Sequence, residues 1–219
     1  MMISADPTPR TKAKRERIHH TAQTLFMQHG FEATSMDAIA LAAGVSKPTL
    51  YRYYQNKEAL FIAVLEQLAV GHLSDHTLLA LRDKPMQNLT ILQEALTLWA
   101  QETIKNLMHP TYIGLMRLLI AELPRFPQLG SRFVQAVPQQ GGAFLREILE
   151  SARQHGVIVE NELELVGRLL VGSLLTYVLG NGLLTADIVP HVPPPEHIAA
   201  LVQLVLQALA RPNQPEEAK

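Results

Sequence analysis

The sequence predicts an all-α protein of about nine or ten helices, in which a small three-helix N-terminal domain precedes a larger C-terminal helical domain. Three observations predict it. Apolar residues recur at helical spacing along most of the chain. Gly and Pro punctuate these stripes, at Gly30, Gly44, Pro110, Pro124 and Gly156. The only β-like run, residues 157–159, is too short to count as a strand.

A chain of 219 residues suffices for one large or two small domains. It has no cysteine, which excludes disulfides and thiolate metal sites and suits a reducing cytoplasm. The net charge of −1 conceals a gradient. Residues 1–57 hold eight Lys or Arg and four Asp or Glu, whereas residues 58–219 hold eleven and sixteen. Positive charge is gathered at the N-terminal end, as a phosphate backbone requires. The start, MMISADPTPR, has no apolar core and does not read as a secretory signal.

Residues 1–10 are expected to form a flexible arm. The first helix is expected over residues 12–29, with Ile18, Ala22, Leu25 and Phe26 on one stripe, and Gly30 ends it. Lys12, Lys14, Arg15 and Arg17 crowd its beginning, where they oppose the helix dipole but can reach phosphates. A helix-turn-helix follows at about residues 34–54. Thr34 is expected to cap its first helix, with Asp37 as a capping-box partner, and Gly44 to terminate it. Ser46 caps the second helix, with Pro48 in its first turn, where no N–H is needed. Asn56 caps a long helix from Lys57 to about Leu81, with Leu60, Phe61, Val64, Leu65 and Leu68 on its inner face.

The second helix of the pair, at residues 47–54, has an unusual outer surface. Leu50 and Tyr54 sit at i and i+4 and can face the core. Lys47, Pro48, Thr49 and Arg52 then point away, and Tyr51 and Tyr53 flank them. Cations and hydroxyls for phosphates, with compact side chains for close approach to base edges, are what a major-groove reader needs.

The run TSMDAIALAAGVSKPTLYRYYQNKEALF closely resembles the DNA-binding domain of the TetR (AcrR-type) family of bacterial regulators, without a gap and over about the first third of the chain. The resemblance implies a DNA-binding domain at residues 11–71, an effector-binding and dimerisation domain at 72–210, and a polar tail at 211–219. It implies that Lys47, Pro48, Thr49 and Arg52 approach base edges, and that Tyr51, Tyr53 and Lys57 hold phosphates. Thr34 and Ser35, at a helix N-terminus, are further phosphate candidates. The expected function is a cytoplasmic transcriptional regulator, a repressor in the family's usual mode, that binds double-stranded operator DNA as a homodimer and responds to a small-molecule effector.

Beyond a loop at residues 82–88, the second domain is expected to hold helices at residues 89–108 and 111–123, a short one ending near Val137, another opened by Pro138 and ending at His155-Gly156, then residues 162–184 and 196–210. Trp99, Met108, Tyr112, Met116, Phe133, Phe144 and Tyr177 are candidates for an apolar or aromatic effector pocket. Residues 169–186 carry no charge, but Gly172, Ser173, Thr176 and Gly180 along them favour burial over a membrane span. Leu169, Gly172, Ser173, Thr176, Ile198, Leu201, Val202, Val205 and Leu209 are the expected dimer interface, a four-helix contact. His72 and His76 have two-histidine metal spacing but no visible third ligand, so no metal or other cofactor is expected. Gly-x-Ser-x-Gly, His-Glu-x-x-His and a phosphate-cradling loop are all lacking, which argues against an enzyme. A DNA-coating architectural protein is the alternative.

Overall fold

The computed structural model describes residues 9–70, 81, 84–158, 163–185 and 189–209. Among them the chain is helical, with no strand. In order, the helices are α1 (Pro9–Ala33), α2 (Met36–Ala42), α3 (Lys47–Tyr53), α4 (Lys57–Val70), α5 (Leu89–Leu107), α6 (Pro110–Glu122), α7 (Gln128–Gln154), α8 (Leu163–Tyr177), a π-helical turn (Val178–Leu183) and α9 (Pro195–Leu209). The chain divides into two compact units, Met1–Gln67 with Gly114–Val137, and Leu68–Ile113 with Pro138–Lys219. The division falls inside α4, α6 and α7.

In the first unit, Ile18, Ala22, Phe26, Phe31, Ile39, Leu50, Leu60, Phe61 and Leu65 form the buried core. The Phe26, Phe31 and Phe61 rings meet at centroid distances of 5.0 to 5.8 Å, a range in which edge-to-face packing adds to burial. α1 is broken at Gly30, whose φ of 80° only glycine adopts freely, and Phe31 turns back into the core. α2 ends as expected at Gly44, with φ of 60°: the Val45 N–H bonds Ala40 O at 3.0 Å and the Gly44 N–H bonds Leu41 O at 3.1 Å, closing a Schellman motif. The corner between α6 and α7 belongs to this unit. There Arg125 pairs with Glu32, and the Phe126 ring meets that of Phe31 edge-on at 5.3 Å.

In the second unit α5 packs against α9 and α8, with Leu92, Ala95, Leu96, Trp99 and Ala100 of α5 buried. Asn88 caps α5, its side-chain oxygen accepting from the Ile91 N–H at 2.9 Å. Met86, expected in a loop, is buried, and its N–H bonds Ser151 Oγ at 3.2 Å.

Four sequence expectations need correction here. Thr34 does not cap α2. Its hydroxyl donates to Gly30 O at 2.7 Å and Leu25 O at 3.2 Å, so Ser35 takes the cap, accepting from the Ala38 N–H at 3.1 Å. Pro138 does not separate two helices, because α7 runs through it from Gln128 to Gln154. An internal proline costs about 3 kcal/mol, and burial of Leu129, Phe144, Leu145, Ile148 and Leu149 along the same helix outweighs it. The helix over residues 162–184 is not α-helical throughout. It widens into a π-turn at Val178–Leu183, where Gly182 lies so close to Ile113 that an added Cβ would stand 2.7 Å from its Cδ1. The same stretch is not buried all round either. Leu163–Leu183 is the one helix among the described residues long and apolar enough to cross a membrane, and only 22% of its most apolar window is buried. Residues 71–80, over which α4 is expected to continue and which include His72 and His76, lie outside the described residues, as do residues 1–8 and 210–219.

Candidate nucleic-acid interface

The helix-turn-helix presents one face of α3. Ser46 caps the helix, its hydroxyl accepting from the Thr49 N–H at 3.4 Å and meeting the Thr49 hydroxyl at 2.8 Å. Leu50 and Tyr54 are buried, as their i, i+4 spacing requires. That leaves Lys47, Pro48, Tyr51 and Arg52 exposed on one short helix, with Thr49 and Tyr53 half-buried beside them. The Arg52 guanidinium stands 5.4 Å from the Tyr53 ring centre, a cation–π contact that orders the side chain without removing its charge.

Two cations have partners that the sequence did not indicate. Lys47 Nζ is 2.6 Å from Asp37 Oδ2 on α2, an exposed pair that raises the Lys47 pKa through the hydrogen bond and the carboxylate charge. Asp37 thus pairs with α3 instead of closing a capping box. Lys57, expected on phosphate, donates to Phe31 O at 2.6 Å and Glu32 O at 2.9 Å, and burial lowers its pKa against the opposing pull of Glu58, Glu122 and Glu32. Two of its three N–H donors therefore close the broken end of α1. Thr34 is 3% exposed with its hydroxyl bonded inward, which leaves Ser35 as the hydroxyl at the surface of the α2 terminus.

Sequence reasoning missed His19. It is 9% exposed, hydrogen-bonded through Nδ1 to Gln67 and through Nε2 to the Tyr54 hydroxyl. Burial, with Arg15 nearby, holds its pKa down to about 4. The available signal was Tyr54 itself, since a phenol placed in a core needs a hydrogen-bond partner.

A TetR-family sequence profile, "Bacterial regulatory proteins, tetR family", matches residues 18–64, which include α2, α3 and every residue from Thr34 to Lys57 expected to meet DNA. A second profile, "AefR-like transcriptional repressor, C-terminal domain", matches residues 94–210. The chain belongs to the TetR family of bacterial regulatory proteins. Within it, the chain is 48% identical over 56 residues to the HTH-type transcriptional regulator RutR of Escherichia coli K12, a match that spans only 26% of either chain. It is 28% identical over 175 residues to the "Probable acrEF/envCD operon repressor" of the same organism, across 75% of this chain and 76% of that one. The solved structure of the flavonoid-responsive regulator FrrA is 31% identical, covers 94% of this chain and 99% of that one, and superposes with a TM-score of 0.60.

The remaining candidates of this TetR-family chain fall in both units. Trp99, Met108, Tyr112 and Phe144 are buried in the second unit and Tyr177 is half-buried there, while Met116 and Phe133 belong to the first. Among the described residues Trp99 Nε1 is buried with no hydrogen-bond partner, and burial raises the Tyr112 pKa. A groove of about 700 Å³ in the second unit is lined instead by Arg146, Glu150, Arg153, Leu163, Glu164, Leu165 and Arg168.

Of the expected dimer residues, Leu169, Gly172 and Thr176 are exposed, and Ser173, Leu201 and Val205 are half-buried. Ile198 and Val202 are corrected: they lie in the chain's own core, at 1% and 0% exposure, because α9 turns that stripe toward α5 and α8. The Leu209 side chain lies outside the described residues. Leu165, Leu179 and Leu204, not singled out from sequence, are more than half exposed.

Proposed function

We propose that the chain is a ligand-responsive repressor that binds a palindromic operator as a homodimer in the cytoplasm. The observation that carries the reading is the division of α3: Leu50 and Tyr54 anchor it while Lys47, Pro48, Tyr51 and Arg52 stand free of the core. Lys47, Pro48, Thr49 and Arg52 approach base edges, and Ser35, Tyr51 and Tyr53, with the third N–H of Lys57, hold phosphates. Residues 11–71 read DNA, and residues 72–210 sense the effector and dimerise.

One seven-residue recognition helix reads only a few base pairs, so affinity and length of site call for two copies related by a two-fold axis. The apolar face of α8, with Leu165, Leu169, Gly172, Thr176 and Leu179, suits a second copy better than a bilayer: Gly172, Ser173, Thr176 and Asn181 interrupt it, and Glu164 and Arg168 lie along the same helix.

The effector is a small apolar or aromatic molecule. The flavonoid response named for FrrA supports an aromatic class, and the unpartnered Trp99 Nε1 supplies a donor for an oxygen on such a ligand. Release follows from a population shift in which effector binding moves α4 and changes the spacing of the two recognition helices. A preference of about 5.5 kcal/mol for the released state carries the balance from about 99:1 to 1:99.

Sequencing duplex fragments retained by the purified protein tests the DNA reading, with one palindrome expected. Footprints spread along the duplex would favour the architectural alternative. A flavonoid series, followed by Trp99 fluorescence and by release of the selected duplex, tests the effector. If no member perturbs either, the effector class is wrong.

A further inference from the structure

One buried imidazole in the first unit joins three helices. His19 on α1 is hydrogen-bonded through Nδ1 to Gln67 Oε1 on α4 and through Nε2 to the hydroxyl of Tyr54, the residue that closes α3. The Gln67 oxygen can only accept, so Nδ1 carries a proton. Burial keeps the ring neutral, so Nε2 accepts from the phenol, and each of the two nitrogens is committed to a different helix. The Tyr54 N–H bonds Leu50 O at 2.9 Å, so the position of the phenol fixes the last turn of α3, two residues beyond Arg52. At its other end α4 grips α1 through Lys57, but Gln67 is the contact nearer to where α4 leaves the unit.

We infer that His19 is a positioning residue for DNA reading: it transmits the position of α4 at Gln67 to Tyr54, and so sets the orientation in which the outer face of α3 meets the duplex. The inference rests on the DNA-reading function proposed above and adds to it a route and a pH dependence. The charged and titratable groups around the ring are Arg15 on α1, Tyr53 and Tyr54 on α3, and Glu66 on α4. A proton added at Nε2 sets a donor against the Tyr54 hydroxyl, which must then turn its own proton away. Arg15 opposes that cation. Protonation thus loosens the hold on α3 while leaving the residues that face DNA untouched.

The test measures binding of the selected duplex and of random duplex by fluorescence anisotropy from pH 7.5 to 4 at fixed ionic strength. Wild type, His19→Phe, Tyr54→Phe and Gln67→Met are compared at matched folded fraction. For wild type, affinity for the selected duplex is expected to stay nearly level to pH 5 and to fall about twofold by pH 4, where half of the His19 rings are protonated, while random-duplex affinity changes far less. In His19→Phe the pH dependence disappears, and in Tyr54→Phe and Gln67→Met selected-duplex affinity at pH 7.5 falls several-fold with random binding retained. Parallel pH profiles in all four proteins overturn the inference. Where a variant fails to fold, NMR titration of the His19 ring in wild type decides instead. A ring pKa lower in the duplex-bound than in the free protein supports the coupling, and equal values overturn it. Retention of no duplex at all overturns both this inference and the DNA reading, whereas a selected duplex bound without His19 dependence sinks the inference alone.

Discussion

The Lys57 ammonium at the start of α4 donates to the Phe31 carbonyl at 2.6 Å and stands 4.5 Å from the centre of the Phe31 ring. Phe31 follows the Gly30 break, where the end of α1 would otherwise leave carbonyls without partners. Lys57→Met is therefore expected to destabilise the protein by about 2 kcal/mol, the scale of a charge-assisted hydrogen bond, read as a lower urea midpoint with unchanged slope. A loss below about 0.5 kcal/mol would mean that the contact contributes little.

Asp37 places a carboxylate against Lys47 on the face that α3 presents. Both side chains are more than half exposed, so water screens the pair and it adds little to stability. Asp37→Asn should leave the unfolding midpoint nearly unchanged and tighten binding to every duplex a few-fold, by freeing Lys47 and removing a repulsion. Lys47→Ala should weaken binding to the selected duplex more than to random duplex. Unchanged affinity in Asp37→Asn would show that Lys47 does not reach the duplex.

Arg52 is exposed at the end of α3 and held over Tyr53, with no ion pair among the described residues. Arg52→Ala is expected to relax discrimination at one base position by about 1–3 kcal/mol, with little change on random DNA. Competition binding against a panel of single-base operator variants measures this. Equal losses on specific and random DNA would assign Arg52 to the phosphates.

Much of this architecture was legible because short-range rules decide it. Gly44, Ser46, Pro48 and Asn56 act where their backbone preferences put them, and Leu50 and Tyr54 are buried by their spacing. What was not legible depends on partners distant in sequence. Thr34 and Ser35 are both good caps, and only the Gly30 and Leu25 carbonyls decide between them. Lys57 reads as a surface cation until residues 31 and 32 arrive beside it, 26 and 25 positions away. His19 sits next to Ile18 on the stripe of α1, and nothing local tells whether its ring faces water or Tyr54. The stripe of α9 is wide enough for two interfaces, and periodicity could not assign Ile198 and Val202 to the inner one.

His19 also predicts how stability changes with pH. Its pKa in the folded protein is about 4, below the ordinary 6.5, so the unfolded chain binds more protons between these values. Stability is fully present above pH 6.5 and declines as the pH falls toward 4, by up to about 3 kcal/mol. Urea unfolding at pH 7.5, 6, 5 and 4 should show this decline in wild type and a shallower one in His19→Phe. Identical declines would place the sensitivity in other groups.

The exposed face of α8 and the buried stripe of α9 allow the proposed assembly to be tested apart from folding. A Cβ added at Gly172 meets nothing within 4 Å in the chain, and Leu169 is 50% exposed. Gly172→Val and Leu169→Glu should therefore fold with near-normal helicity, yet sediment as monomers and lose operator affinity. Val202→Ala removes two methyl groups from a fully buried site, which costs about 1–3 kcal/mol in folding and leaves the surviving folded protein dimeric. Analytical ultracentrifugation beside urea unfolding distinguishes the two classes. If Gly172→Val and Leu169→Glu remain dimers, two copies cannot meet across this part of α8, and the spacing of the recognition helices must be set by another surface.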